Sequence, residues 1–176
     1  METDMDGFIY NQTKIPKEQW RYGFRASAAT GCGWIATHNA LRLMGRHEKP
    51  ETLIHYYQWG LPLINGNFGT FLLHPVLFFR GRGFRVRVTA RRSVFDELVR
   101  TSDACILFYW WRQKCRLGTH YAALGERDGK VVGYNTFRNS SGPDHYGASL
   151  EHFLKKQKFF WPVLIAIQED STSNGH

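Results

Sequence analysis

The sequence has no apolar stretch long enough to cross a bilayer as a helix, although apolar residues make up 43% of its 176 positions. The longest apolar runs, 104–111 and 159–167, fall well short of the roughly 20 residues that a spanning helix needs. Proline is scarce, with 6 residues, and no segment is of low complexity, which excludes a disordered or collagen-like chain. This length and composition predict one globular domain with a substantial core.

An export signal and an even set of cysteines are also missing. Met1 to Gly7 is acidic and lacks the basic and apolar stretches of a secretory signal, so the sequence predicts a cytoplasmic protein with no membrane partner. Cys32, Cys105 and Cys115 are odd in number, which favours free thiols over disulfides. Lysine and arginine (23) exceed aspartate and glutamate (15), and the net charge of +8 favours anionic partners.

The pattern along the chain changes from helical to β-rich. We expect residues 1–25 to form an arm that packs its aromatic side chains on the body, residues 26–168 to form the domain, and residues 169–176 to form a polar tail. Apolar periodicity predicts a helix that begins near Cys32 and ends at Gly45. Further helices are predicted over 50–59, 68–79, 94–100 (capped by Ser93) and 149–157.

Short β-rich runs dominate the second half. They predict strands over 84–88, 105–111, 119–126, 130–137 and 161–168, with a loop over 139–146. Helices that precede an antiparallel sheet indicate an α+β fold.

Cys32 carries the strongest chemical signal, because it lies in the first turn of a predicted helix between Gly31 and Gly33. A thiol there faces unpaired backbone N–H groups and the positive end of the helix dipole, which favour the thiolate and predict a lowered pKa. The two glycines would let a substrate backbone approach the sulfur, with Trp34 beside the cleft. The alternative is a small buried residue that starts a helix, with Trp34 as a packing anchor.

A nucleophilic cysteine needs a base within hydrogen-bond reach and a group that orients the base. His120, near the start of a predicted strand, is the candidate base. The Asp128-Gly129 pair predicts a tight hairpin, and its register makes Asn135 a diagonal cross-strand neighbour of His120. Each residue alone has a structural interpretation, but the joint spacing favours a site.

The order of Cys, His and Asn, with the cysteine on an N-terminal helix and the other two on adjacent strands, resembles that of papain-like cysteine peptidases. The likeness is greatest to the small C39-like peptidases. It is carried by residues 31–41, 119–125 and 134–135, and the layout extends over most of 19–168. The resemblance implies a papain-like α+β fold, with an N-terminal helical half packed on a C-terminal antiparallel sheet.

The resemblance also implies roles for single residues. Cys32 would be the nucleophile, His120 the general base and acid, and Asn135 the orienter, in amide hydrolysis of a peptide or protein through a thioester, with no metal or organic cofactor. At the position of the family's oxyanion glutamine this sequence has Ala26. Gln19, the nearest upstream amide, and the Cys32 backbone N–H are therefore the candidate oxyanion donors.

Other functions stay open on the sequence. The same triad could deamidate glutamine or transfer an acyl group to an amine, and a catalytically silent papain-like binding module would keep the fold alone. Cys105, Cys115 and His120 lack the paired spacing of a zinc site. An arginine cluster could contact nucleic acid, but its alternation with apolar residues favours a solvated strand face. Its members are Arg80, Arg82, Arg85, Arg87, Arg91 and Arg92.

Overall fold

The computed structural model describes residues 7–59, 70–113 and 116–170. The predictions made for Cys115, for the first two residues of the helix at 68–79, for the acidic N-terminus and for the end of the polar tail lie outside the described residues.

The chain begins with an arm, residues 7–20, followed by a hairpin of two short strands, β1 (Arg21–Tyr22) and β2 (Arg25–Ala26). A main antiparallel sheet of six strands follows, in the order β3-β8-β4-β5-β6-β7. Its strands are β3 (Arg85–Thr89), β4 (Ala104–Gln113), β5 (Arg116–Arg127), β6 (Lys130–Tyr134), β7 (Asp144–Gly147) and β8 (Phe160–Gln168).

Helices cover both faces of this sheet. A short helix, α1 (Ser27–Thr30), precedes α2 (Cys32–Leu43), α3 (Pro50–Trp59) and α4 (Leu73–Arg80); α5 (Phe95–Thr101) and α6 (Leu150–Gln157) come later in the chain. One buried cluster joins the arm and α2 to α4 to one face of the sheet. A second cluster joins α5 and α6 to the other face. The fold is therefore a mixture of helices and antiparallel sheet, as the sequence indicates.

Turn chemistry sets the elements that position the site. Helix α2 is followed by Gly45 at φ +69°, the left-handed conformation in which glycine ends helices. Asp128 and Gly129 both have positive φ, and their turn pairs Arg127 with Lys130. The hairpin register expected from the sequence is confirmed.

Several local predictions are wrong. β6 ends at Tyr134 rather than 137, because Asn135 takes a left-handed backbone conformation (φ 60°) that a strand cannot continue. The segment expected to be a loop, 139–146, contains the start of β7. Ser93 does not cap a helix: Val94 is the N-cap of α5, with no side-chain cap, and the Ser93 hydroxyl accepts a hydrogen bond from Arg91 instead.

The structure also has more layers than the predicted helical half packed on a sheet. β3 comes from the first half of the chain and pairs with β8 at the sheet edge, while α5 and α6 cover the second face. The additional face is needed because β4 and β5 are apolar on both sides: Ile106 packs in one cluster and Leu107 in the other.

The N-terminal arm is fastened to the body by aromatic and amide contacts. The Phe8 ring stacks on Tyr134, with centroids 4.4 Å apart. The Asn39 side chain accepts from the Ile9 N–H (2.9 Å) and donates to the Ile9 carbonyl (2.8 Å). The arm therefore satisfies a buried amide of α2 and spans the sheet end that carries Asn135.

Candidate active site

Cys32 is the first residue of α2 and is buried, with 7% of its surface exposed. Its sulfur accepts hydrogen bonds from the backbone N–H groups of Tyr121, Cys32 and Gly33, which favour the thiolate. Burial is the larger effect and raises the pKa of the thiol to about 11. The lowered pKa expected from the helix N-terminus is therefore not observed, because desolvation outweighs the N–H groups and the dipole.

Three buried tyrosines, Tyr22, Tyr109 and Tyr121, lie close enough to Cys32 for the thiolate to raise the pKa of each phenol. In all three, burial is the main cause of the raised pKa. The phenols are neutral near neutral pH. They give the sulfur an uncharged environment in which the protonated thiol is the stable form.

His120 lies on β5 directly before Tyr121, so its backbone adjoins the N–H that contacts the Cys32 sulfur. The half-buried ring faces Tyr109 and places Nε2 2.5 Å from the Asn135 carbonyl oxygen. Since a carbonyl only accepts, Nε2 carries the proton, and Nδ1 of the neutral ring is left as the acceptor. Burial lowers the pKa of His120, the Asn135 carbonyl raises it, and Arg138 lowers it slightly.

The sequence predicts that the Asn135 side chain orients His120. In the structure the backbone carbonyl of Asn135, and not its side chain, binds the His120 ring. The side chain is bound to the arm instead. Its Oδ1 accepts from the Gln12 backbone N–H (2.9 Å), and its Nδ2 donates to Gln12 Oε1 (3.0 Å). The Gln12 Nε2 donates to the Ala28 carbonyl on α1 (3.3 Å). Gln12 thus links Asn135 to the segment that leads into Cys32.

Sequence reasoning missed Gln12. It belongs to an arm without periodicity, far upstream of Cys32, and no spacing rule connects it to Asn135. The positive φ of Asn135, which turns its amide away from the ladder and toward the arm, is a backbone property that the sequence pattern does not reveal.

Side chains of the protein itself pack around Gly31, Gly33 and Trp34, for which the sequence predicts substrate contacts. A Cβ on Gly31 would lie 2.6 Å from the Trp34 indole nitrogen, and one on Gly33 would lie 2.1 Å from the Thr70 hydroxyl. The missing side chains therefore make room for the protein itself rather than for a substrate. Trp34 has no exposed surface and packs edge-on against Trp20, as the alternative of a packing anchor predicts.

The two oxyanion candidates differ in position. Gln19 lies in an exposed turn whose backbone bonds to Pro16, while the Cys32 N–H faces the sulfur. Thr30, two residues before Cys32, is buried, and its hydroxyl has no hydrogen-bond partner among the described residues. A buried hydroxyl without a partner is costly, and this one lies two residues before Cys32 in the chain.

Cys105 and two members of the arginine cluster contact other parts of the protein. Among the residues that the structure describes, no three His, Cys, Asp or Glu side chains are grouped to hold a metal ion, and no helix is long and apolar enough to span a bilayer. Cys105 is buried on the other face of the sheet. In the arginine cluster, Arg82 lies on the Phe78 ring (3.6 Å) and Arg85 pairs with Asp170 (2.8 Å).

Comparison with known proteins gives a likeness of fold. No family model matches the chain, and no curated protein matches its sequence. The structure is similar to the crystal structure of the peptidase domain of Streptococcus ComA, a bifunctional ABC transporter involved in a quorum-sensing pathway. The TM-score is 0.53 at 14% identity, over 81% of this chain and 93% of that domain. The chain therefore shares its mixed helical and antiparallel architecture with that peptidase domain.

Proposed function

We propose that this protein is a cysteine peptidase, or a related amide hydrolase, that acts through Cys32, His120 and Asn135. One observation carries the proposal. In a fold shared with a peptidase domain, the Cys32 sulfur accepts a backbone hydrogen bond from Tyr121, the residue next to His120, whose imidazole is held by Asn135. A helix-borne thiol, a strand-borne base and a group that fixes the base are the parts that acyl transfer requires.

The protonation states define how such a site would work. With a pKa of about 11 for Cys32 and a lowered pKa for His120, both groups are neutral at pH 7, and only about one thiol in 10⁴ is ionised. A preformed thiolate–imidazolium pair is therefore not the resting state. The imidazole acts as a general base that takes the thiol proton during attack.

One proton passes between the thiol, the imidazole and the leaving amine in the proposed reaction. Sulfur bonds to the amide carbonyl carbon as Nδ1 of His120 takes the thiol proton, and the imidazolium returns that proton to the leaving amine when the C–N bond breaks. Water, deprotonated by the same imidazole, hydrolyses the thioester and regenerates the thiol. The Asn135 carbonyl keeps the proton on Nε2 throughout, so that Nδ1 is always the exchanging nitrogen.

We assign oxyanion stabilisation to the Cys32 backbone N–H and the Thr30 hydroxyl. The N–H faces the sulfur, and the hydroxyl is buried without a partner among the described residues. A tetrahedral oxyanion needs two such donors, and Thr30 lies two residues before Cys32 in the chain. Gln19, exposed in the arm, has no part in this proposal.

The experiment is cleavage of a mixed peptide library, read by mass spectrometry. The wild-type protein is expected to create new N-termini, and the Cys32→Ser and His120→Ala variants to create none. Glutamine-containing peptides in the same library report deamidation as a mass change without cleavage, and an added amine reports acyl transfer. Product formation by the Cys32→Ser variant would refute the assignment.

A second function, a catalytically silent binding module, is favoured by one observation: Cys32 is buried, with only 7% of the residue exposed, and burial raises the pKa of its thiol. A buried neutral thiol is a weak nucleophile. The two functions separate in the library experiment, since a silent module retains peptides without altering the mass of any of them.

A further inference from the structure

A row of aromatic rings leads from the site to the surface on the face of the sheet that α2 covers. It consists of Phe108, Trp110, Phe160 and Trp161, and we call it the aromatic row. Tyr121, whose N–H contacts the Cys32 sulfur, lies 4.9 Å ring to ring from Phe108. From Phe108 the row continues to Trp110 at 6.4 Å.

Trp110 holds the outer part of the row together. Its ring centroid is 6.5 Å from that of Phe160 and 6.0 Å from that of Trp161. Exposure increases outward, since Tyr121 is buried, Phe108 and Trp110 are half-buried, and Trp161 is 71% exposed. A surface of this kind is expensive to keep in water unless something binds it.

The backbone is bent to build the row. Successive residues of a strand point to opposite faces, so Phe160 and Trp161 should lie on different sides of the sheet. Trp161 instead has φ +46°, and the pairing of β4 with β8 shifts register between Phe108 and Trp110. Both rings thereby reach Trp110. A bulky residue in the left-handed region is strained, and strain of this kind occurs at functional sites.

The charged residues that flank the row along the chain are of one sign. Within the described parts of 108–120 and 156–163, the charged side chains are basic and exposed, and no aspartate or glutamate occurs. Arg112 lies two residues after Trp110 on β4 and so on the same face of the strand, and Lys158 lies two residues before Phe160. Such surroundings attract an acidic partner.

We infer that the aromatic row is the substrate groove of this protein and that it binds acidic peptides through their apolar or aromatic side chains. The inference rests on the proposed function, because the bound peptide is a substrate only if the protein is an amide hydrolase. Aromatic rings supply the contact area for side chains along the peptide, and Arg112 and Lys158 select its charge.

The test measures binding without turnover, on the Cys32→Ser variant, by fluorescence anisotropy. The probe is a short fluorescein-labelled peptide of alternating glutamate and phenylalanine. Adding Trp161→Ala is expected to raise the Kd about tenfold or more, while Trp161→Phe keeps most of the affinity. Trp59→Ala is the matched control, because Trp59 is 80% exposed on α3, outside the row, and should leave the Kd unchanged.

Two changed peptides complete the test. Replacing phenylalanine with serine, or glutamate with lysine, should abolish binding, and Arg112→Ala should weaken it more at low salt than at high salt. Equal Kd values for Trp161→Ala and Trp59→Ala would overturn the inference. So would Trp161-dependent binding to phosphatidylglycerol vesicles without peptide binding, which would identify a lipid surface as the partner.

Failure of the groove and failure of the enzyme are distinguishable. If the wild-type protein and the Trp161→Ala variant cleave the library equally well, the groove is refuted and the peptidase proposal stands. Trp161-dependent peptide binding with no cleavage refutes the peptidase and leaves the aromatic row as a peptide-binding surface.

Discussion

Cys32 and Cys105 are both buried thiols whose pKa burial raises, to about 11 and about 12. They differ in their partners. Cys105 donates its proton to the Leu98 carbonyl (3.8 Å) in the cluster beneath α5 and α6, and it accepts from the Ser102 hydroxyl and the Ile167 N–H. Cys32 accepts from three backbone N–H groups, one of them next to His120. Burial and nearby donors are therefore common to both thiols, and the histidine next to one of the donors distinguishes Cys32.

The largest expected difference between the two thiols is in activity. Cys32→Ala should lower the rate of peptide cleavage at least about 10⁴-fold, because the covalent step is lost. Cys105→Ala should leave kcat within about twofold, since its sulfur lies on the other face of the sheet. Initial rates on one cleaved library peptide measure both, and comparable losses in the two variants would remove the distinction.

The pH dependence of alkylation sharpens the comparison. The thiolate is the reactive form, so the rate at Cys32 should rise about tenfold per pH unit from pH 7 toward 10 and not level off near 8.5, where an ordinary thiol does. Cys105, with the higher pKa, should react more slowly throughout. Peptide mapping of iodoacetamide-treated protein gives both rates. A plateau at Cys32 below pH 8 that His120→Ala removes would show a preformed ion pair instead.

Thr30 tests whether the surroundings of Cys32 are built for an anion. Thr30→Val keeps the shape of the side chain and removes the hydroxyl that has no partner among the described residues. We expect kcat/KM to fall about 10- to 100-fold with little change in KM, since the hydroxyl would act only in the transition state. Thr30→Ser should retain most of the rate. A purely structural hydroxyl without partners would predict the opposite, a more stable and equally active Thr30→Val variant.

Much of this arrangement follows from local patterns in the sequence. Helix α3 extends from Pro50 to Trp59, as the sequence pattern predicts. The Asp128-Gly129 turn fixes the register that brings β6 beside β5. These features depend on a few neighbouring residues, so a sequence pattern can specify them.

Features set by tertiary packing could not be read in this way. Gly31 and Gly33 looked like access for a substrate, but Trp34 and Thr70 occupy the space that their side chains would fill. The raised pKa of Cys32 depends on burial by residues distant in the chain, which no helix-dipole rule includes. The contact of Gln12 with Asn135 depends on how the arm crosses the sheet end.

The Gln12→Ala variant should give the smallest effect. It tests whether the arm supports the surroundings of Cys32 and has no influence on those of Cys105. Gln12→Ala leaves the Nδ2 group of Asn135, a residue 2% exposed, without its acceptor, which costs about 1–3 kcal/mol of unfolding free energy. Because Asn135 also holds His120, kcat should fall several-fold while alkylation of Cys105 is unchanged. Gln19→Ala, in the exposed part of the same arm, is the matched control and should stay within about 0.5 kcal/mol of wild type. Urea unfolding and initial rates measure the pair. A loss of stability in Gln12→Ala with an unchanged kcat would make Gln12 a fastener of the arm, with no hold on the imidazole.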